Sequence, residues 1–406
     1  MKIVVQKFGG TSVATPEVRA KAVQKVINAK KSGYHPVVVV SAMGRNGAPY
    51  ATDTLIALAK NECVDTHPRE MDLLMSCGEI ISSVIMVNAL RAKGYEAVAL
   101  TGGQAGIITD NNYGNANILK IQPDRIRMYL EMGKIPVVAG FQGVTEDGNI
   151  TTLGRGGSDT TAAALAKALS ASFIEIYTDV DGIMTADPRM VPNASVLKHL
   201  TYSEVFQMAD QGAKVIHPKA VEIAMSCNIP LIIKNINGNG PGTVVSSYYE
   251  SDYAQTAEHD PNQVITSISH MLNRTQVIIK NLDPELQNIA LSRLAENGIS
   301  IDLINIFPDK MIFTIDDNDS DKTRTILDQL GCSYSMIYNC SKISAIGTKM
   351  KGVPGVMSRI IKALLKNQIQ ILQTADSHTT ISCLIKGEDT AKAMMALHEE
   401  FKLYTR

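Results

Sequence analysis

LGRGGSDTTAAALAKAL, residues 153–169, crowds three glycines, an arginine, a serine and an aspartate in front of an alanine-rich run that can only be a helix. Short β-branched runs flank it, KIPVVAGF (134–141) on one side and SFIEIYTD (172–179) on the other, with a hairpin turn at Asp147-Gly148 in between. Strand, glycine-rich loop, helix and strand in this order make a parallel βαβ unit. Free N–H groups and the positive end of the helix dipole at such a loop favour a phosphate or carboxylate. A mobile glycine loop followed by an aspartate cap accounts for the same residues without a ligand.

The alternation extends outward. KIVVQKF (2–8), HPVVVVSAM (35–43), AVAL (97–100) and IPLIIK (229–234) read as buried parallel strands. Thr15-Pro16-Glu17 opens a helix that Gly33 ends, and a long helical stretch from Arg69 to Lys93 stops at Gly94. The fold class is therefore α/β: an open, mostly parallel sheet with helices on both faces, whose ligands gather on loops beyond the strand C-terminal ends. After Lys234 the chain turns polar and unpatterned apart from a short strand at 243–245, giving a first domain over 1–245 and a linker over 246–263. Residues 264–406 carry an internal repeat with an offset of 70. RLAENGISIDLI (293–304) aligns with ALLKNQIQILQT (363–374), Pro284 with Pro354, and Asp319 with Asp389. Each copy, about 264–335 and 336–406, reads as a small α+β module, and the two are expected to pack together or intertwine.

At 406 residues, with 45% hydrophobic and 19% charged residues, the chain has the composition of a soluble globular protein of two or three domains. A net charge of −1 and the lack of tryptophan speak against nucleic acid or an anionic membrane as partner. No apolar run is read as approaching a membrane span, and the apolar part of MKIVVQKFGG is too short for a signal peptide. The six cysteines form no CxxC pair and have no histidine at ligand spacing, so no protein metal site is expected and a reducing, cytoplasmic compartment is.

Four further stretches carry candidate chemistry. QKFGGTS (6–12) sets a lysine and two glycines after the first strand, a phosphate cradle without a Walker A or a GxGxxG pattern. SCGEIISS (76–83) puts Glu79 inside the long helix, where it must be exposed or paired with a cation. YTDVDGIMTADPR (177–189) and QGAKVIHP (211–218) add loop aspartates, Arg189 and Lys214, which turn chemistry and solvated surface would also explain.

Taken in order, KFGGTS, VVVVSAMG, LLMSCGE, VAGFQG, TTLGRGGSDTTAAALA, YTDVDGIMTADPR and GAKVIHPKAVEIA closely resemble the aspartate kinase family, over essentially the whole chain. The resemblance implies an amino acid kinase fold followed by two ACT-like modules. It also implies ATP-dependent phosphorylation of the L-aspartate β-carboxylate, with Mg²⁺, toward diaminopimelate, lysine, threonine and methionine. GAPYATDTL and QTADSHTT are similar to the short Gram-positive, diaminopimelate-sensitive type. On this resemblance Lys7, Asp159 and Lys214 are catalytic. Lys7, Phe8, Gly9, Gly10, Thr178, Asp179, Met184, Arg189 and Lys214 hold the nucleotide. Ser41, Thr52, Glu79, Arg155, Gly156, Gly157 and Ser158 hold aspartate. Asp283, Asp302, Gln370, Ile371 and Ser377 hold an amino-acid effector, namely diaminopimelate, lysine or threonine. A homodimer or larger homo-oligomer through the ACT repeats is implied as well. Met184 stands where many relatives carry an aromatic residue, and LDPEL (282–286) departs from the Asp-x-Pro-Gly that the second copy's GVPGV approaches more closely. The competing readings are a kinase of another amino acid, such as glutamate, and a non-catalytic amino-acid-binding regulator.

Overall fold

The computed structural model of the 406-residue chain describes all residues except 214, 248–263, 281–283, 348, 349, 351, 352 and 406. Packing divides the chain into two units. The first comprises Met1–Ile183, Val196–Ala209 and Lys214–Thr256; the second comprises Met184–Ser195, Asp210–Ala213 and Ala257–Arg406. The continuous first domain expected over 1–245 is thus interrupted, because Ala186 and Val191 bury their side chains in the second unit's core.

The first half of unit one runs β1 (Ile3–Phe8), α1 (Gly10–Val13), α2 (Pro16–Lys31), β2 (His35–Val40), α3 (Thr52–Glu62), α4 (Pro68–Arg91), β3 (Ala97–Leu100), β4 (Ile107–Thr109), β5 (Ile118–Ile121) and α5 (Asp124–Glu131). Its second half runs β6 (Ile135–Ala139), β7 (Gln142–Val144), β8 (Ile150–Thr152), α6 (Gly157–Leu169), β9 (Phe173–Thr178), β10 (His199–Thr201), α7 (Tyr202–Asp210), α8 (Pro218–Ser226), β11 (Leu231–Asn235) and β12 (Thr243–Ser246). Eight strands form one sheet in the order β10-β12-β11-β9-β1-β2-β6-β3, parallel from β11 through β3. The valines of β2 are fully buried, as expected of a strand covered on both faces. Phe8, Val38, Val40 and Val137 turn toward α2 and α4, whereas Lys7 turns the other way, toward α6. Thr15 caps α2 by accepting the Val18 N–H, and Gly148, at φ +82°, turns the β7–β8 hairpin. A four-stranded sheet, β5-β4-β7-β8, completes the unit.

Helix α4 corrects one expectation. Its 24 residues, with an 18-residue window of mean hydropathy 1.8, are long and apolar enough to cross a membrane by length and composition. Half of that window is buried, and the buried face carries Asp72, Ser76, Glu79, Ser82 and Ser83. A helix that turns these polar side chains inward, with Asp72 and Glu79 accepting backbone N–H groups from other parts of the chain, is serving as a core element of a sheet protein.

Unit two contains β13 (Ser267–Lys280), α9 (Pro284–Glu296), β14 (Asp302–Ile306), β15 (Lys310–Asp316), α10 (Ser320–Gln329), β16 (Ser333–Ile346), α11 (Val356–Lys366), β17 (Gln373–Asp376), β18 (Thr380–Lys386) and α12 (Thr390–Glu400). The 70-residue offset holds to the residue in the last part of each repeat. β15 and β18, the 3₁₀ turns at 317–319 and 387–389, and the starts of α10 and α12 all obey it. Gly298 and Gln368, also 70 apart, both have positive φ. The modules are not separable at 335/336, however. β13 and β16 are 14-residue strands that pair along their length around irregularities near Arg274. The first half of β13 therefore lies beside the strands of the second repeat and its second half beside those of the first. Six strands share one sheet, β14-β15-β13-β16-β18-β17, and Ile265 and Ile268 join the core of the second repeat.

Candidate active site

In the eight-stranded sheet the chain leaves β1 toward β2 on one side and returns as β9 on the other, so a topological switch lies between β1 and β9. Crevices at the C-terminal ends of such strands bind ligands. Lys7, Phe8, Gly9 and Gly10 leave β1 on one side of the switch, and Thr178 and Asp179 leave β9 on the other. Lys7 Nζ lies 2.7 Å from Asp159 Oδ1 in the first turn of α6, with both side chains largely buried. Gly156 is the N-cap of α6, and no side chain caps that end. The aspartate-cap account of this loop is therefore excluded: Asp159 is inside the helix and engaged with Lys7. What the first turn offers is uncapped backbone N–H groups beside an ammonium, an arrangement suited to an anion.

The phosphate-type loop rests on a buried network that the strand patterns hid. Phe8 stacks on Tyr177 with ring centroids 4.9 Å apart. Its side chain is thus in the core, and only its main chain faces outward. The Tyr177 carbonyl accepts from Gly9 N (3.3 Å) and Ser12 Oγ (3.3 Å). Tyr177 Oη in turn donates to Glu175 Oε2 (3.0 Å), which also accepts from Gln6 Nε2 (2.7 Å), while Lys234 Nζ pairs with Glu175 Oε1 (2.7 Å). Burial, the Glu175 charge and their hydrogen bond push the Tyr177 hydroxyl well above its ordinary value. Arg45 is a further addition, pairing with Asp179 at 2.7 Å on the surface.

Across β2, Glu79 departs from its expectation. It is buried, and among the described residues no cation pairs with it. Oε1 accepts the Ala42 N–H (3.0 Å), while Oε2 is buried without a hydrogen-bond partner. Burial pushes this carboxyl up to about 8, against the opposing pull of the Ala42 N–H. Gly78 explains how the helix comes so close: a Cβ there would lie 2.8 Å from Ala42 Cβ and 2.9 Å from the Tyr50 carbonyl. Asp72, seven residues earlier on the same face, accepts from Gly114 N (2.9 Å), Thr152 N (2.8 Å) and Thr152 Oγ1 (2.7 Å). It thereby anchors the end of β8, three residues before Arg155. Arg155 itself is exposed, with no hydrogen bond or ion pair to a described residue. An orphaned buried carboxylate oxygen and an unengaged guanidinium are what a zwitterion requires.

The remaining candidates divide. Ser41, whose N–H donates to the Phe8 carbonyl (3.1 Å), directly follows β2; Thr52 begins α3; Gly157 and Ser158 begin α6. Met184 and Arg189 lie on the segment that packs in unit two, where Arg189 forks onto Asp187 at 3.0 and 2.7 Å. Lys214 and Asp283 fall outside the described residues. In unit two, Asp302 pairs with the buried Lys342. Gln370 is exposed and Ile371 packs against the second repeat's core. The Ser377 hydroxyl accepts the Thr379 and Thr380 N–H groups in the turn between β17 and β18.

Comparison with known proteins agrees with this arrangement. A family model described as amino acid kinase family matches residues 2–235, and one described as ACT domain matches 335–399. The chain is 46% identical to aspartokinase 1 of Bacillus subtilis (strain 168), covering 99% of this chain and 100% of that one. It is 40% identical to an aspartokinase of Geobacillus stearothermophilus, covering 99% and 98%. Among solved structures, E. coli aspartokinase III with aspartate and ADP in the R-state aligns with a TM-score of 0.80 at 25% identity, covering 98% of this chain and 99% of that one. The same enzyme with lysine and aspartate in the T-state aligns with a TM-score of 0.75 at 25% identity, covering 99% and 100%.

Proposed function

The chain belongs to the amino acid kinase family and, within it, to the aspartokinases, and on that premise we propose how its residues divide the work of the reaction. The enzyme transfers the γ-phosphoryl group of ATP to the β-carboxylate of L-aspartate, giving 4-phospho-L-aspartate and ADP under ACT-domain control. The acceptor is already ionised at neutral pH, so no general base is required. A carboxylate oxygen forms the new bond to γ-phosphorus, the bond to the bridging oxygen of ADP breaks, and ADP keeps those electrons. The difficulty is bringing two anions together and neutralising charge on the phosphoryl oxygens.

Lys7 supplies that charge, the Gly10, Ser158 and Asp159 N–H groups cradle phosphate where the side-chain-free Gly9 lets it approach, and Asp159 orients Lys7. Thr178 and Asp179 face the nucleotide from β9. The assignment of Met184, Arg189 and Lys214 to the nucleotide rests on the sequence resemblance. Among the described residues no group of three or more histidine, cysteine or acidic side chains could cage a metal. Mg²⁺ would arrive on the triphosphate and add charge neutralisation to that of Lys7. Glu79 takes the substrate ammonium and Arg155 its α-carboxylate, with Ser41, Thr52 and Gly156–Ser158 close by.

The observation that carries this reading is the Lys7–Asp159 pair, 2.7 Å apart beside the switch between β1 and β9. Lys7→Ala should lower kcat by about 10² or more in an assay of aspartate-dependent ADP release. A raised KM for ATP at unchanged kcat would reduce Lys7 to a binding residue. For regulation we read an amino-acid effector at the ACT repeats. E. coli aspartokinase III has been solved with lysine. Lysine, threonine and diaminopimelate added separately to the same assay identify the effector by which of them inhibits. Exposed Ile304, Ile306 and Phe307 at the β14 edge support a homodimer through these repeats. Six free cysteines support a cytoplasmic location.

A further inference from the structure

One stretch that marked the family, GAKVIHP, contributes a side chain that the roles above leave unused. His217 is the N-cap of α8, where its Nδ1 accepts the Lys219 N–H at 3.4 Å. Its ring lies against the left-handed Gly156, so closely that a Cβ on Gly156 would stand 2.2 Å from His217 Cγ. Gly156 is the N-cap of α6, three residues before Asp159. With Nδ1 committed as acceptor, a neutral imidazole carries its proton on Nε2. Burial lowers the ring below its usual value, and the nearby Asp159 charge opposes that shift. The ring is therefore neutral at pH 7, a donor through Nε2, and within electrostatic reach of Asp159.

Resting on the reading of Lys7 and Asp159 as the phosphoryl-transfer pair, we propose that His217 is a positioning residue for that step. It packs under the α6 turn and offers Nε2–H to the Asp159 carboxylate when Lys7 is drawn toward the phosphoryl oxygens. In the free enzyme Asp159 is balanced by Lys7. During transfer that ammonium is shared with the substrate, and an uncompensated buried carboxylate would pull it back. A neutral donor to Asp159 steadies it without adding a competing cation.

Two variants separate this role from simple capping, because Asn reproduces the Nδ1 acceptor and Gln the Nε2 donor. His217→Asn should keep the thermal midpoint and hold KM for aspartate and ATP within about threefold, yet lose kcat roughly ten- to a hundred-fold. His217→Gln should lower the midpoint by losing the cap but keep kcat within about fivefold of the parent. Wild-type kcat in His217→Asn, or equal losses in both variants, would overturn the proposal in favour of capping or space-filling. If His217→Asn does not fold, His217→Gln decides alone: near-parent kcat supports the proposal and a tens-fold loss overturns it. Lys7→Ala run alongside keeps the underlying reading distinct, since undiminished kcat there refutes the phosphoryl-transfer pair whatever His217 does.

Discussion

At the scale of single residues the substrate charges decide the site. Glu79 holds a proton up to about pH 8 in the free enzyme, because burial disfavours its ionised form. Only the ionised form pairs with an ammonium. The kcat/KM for aspartate should therefore rise from pH 6 to above 8, and Glu79→Gln should flatten that rise and lower the value tens-fold. An unchanged slope in the variant would assign the titration to another group. The same shift carries a sign for stability. The folded state keeps this proton where the unfolded state has released it, so the free enzyme loses stability as pH rises from the ordinary carboxylate range to about 8. Glu79→Gln should thus raise the thermal midpoint more at pH 8 than at pH 5. Arg155 is argued from its fork. Arg155→Lys keeps the charge but loses bidentate geometry, and kcat/KM for aspartate should fall tens-fold while ATP binding measured without aspartate barely moves. Equal weakening of both would move Arg155 to the phosphates.

At the scale of elements, α4 and α6 do the positioning, and each depends on contacts remote in sequence. Asp72 ties α4 to Gly114 and Thr152 through three hydrogen bonds. Asp72→Ala would leave the two buried Thr152 donors without that acceptor, at a cost on the order of 2–3 kcal/mol. It should also raise KM for aspartate more than KM for ATP, because the strand it anchors leads to Arg155. Denaturant unfolding with the two KM values checks this, and a variant with parent stability would show that the clamp is unnecessary. The start and type of α6, the turn at Gly148 and the cap at Thr15 were all legible from local chemistry. The inward polar face of α4 was not, since a run rich in Leu, Ile and Met gives no sign of which side meets the sheet.

At the scale of the whole molecule, chemistry and control are carried by different packed units. The phosphate loop, Glu79 and Arg155 belong to one, and the two repeats, with Asp302 in the first and Gln370 and Ser377 in the second, belong to the other. Asp302→Ala or Gln370→Ala should change inhibition by an end-product amino acid while leaving uninhibited turnover within about twofold, as expected for a site energetically coupled to the active site but distinct from it. Turnover lost in the folded, effector-free variants would break this division. The segment 184–195 is the exception to a simple partition of the chain. It leaves β9 just after Asp179, yet Ala186 and Val191 are buried with Ile265, Ile268 and Ile343.

What could be read along the chain was whatever a single stretch specifies: parallel strands from β-branched runs, helix starts from Pro and Thr, the 70-residue repeat, and the order of motifs that marks an aspartate kinase. Periodicity and turn chemistry are local, and they survive without knowledge of neighbours. The tertiary structure alone decided which charges meet. Lys7 finds Asp159 152 positions later, Glu175 and Lys234 pair across adjacent strands, and Glu79 is buried with one oxygen unsatisfied. It also decided that β13 and β16 would run through both repeats. Burial, electrostatic pairing and strand register depend on distance in space, and no stretch of chain encodes that distance on its own.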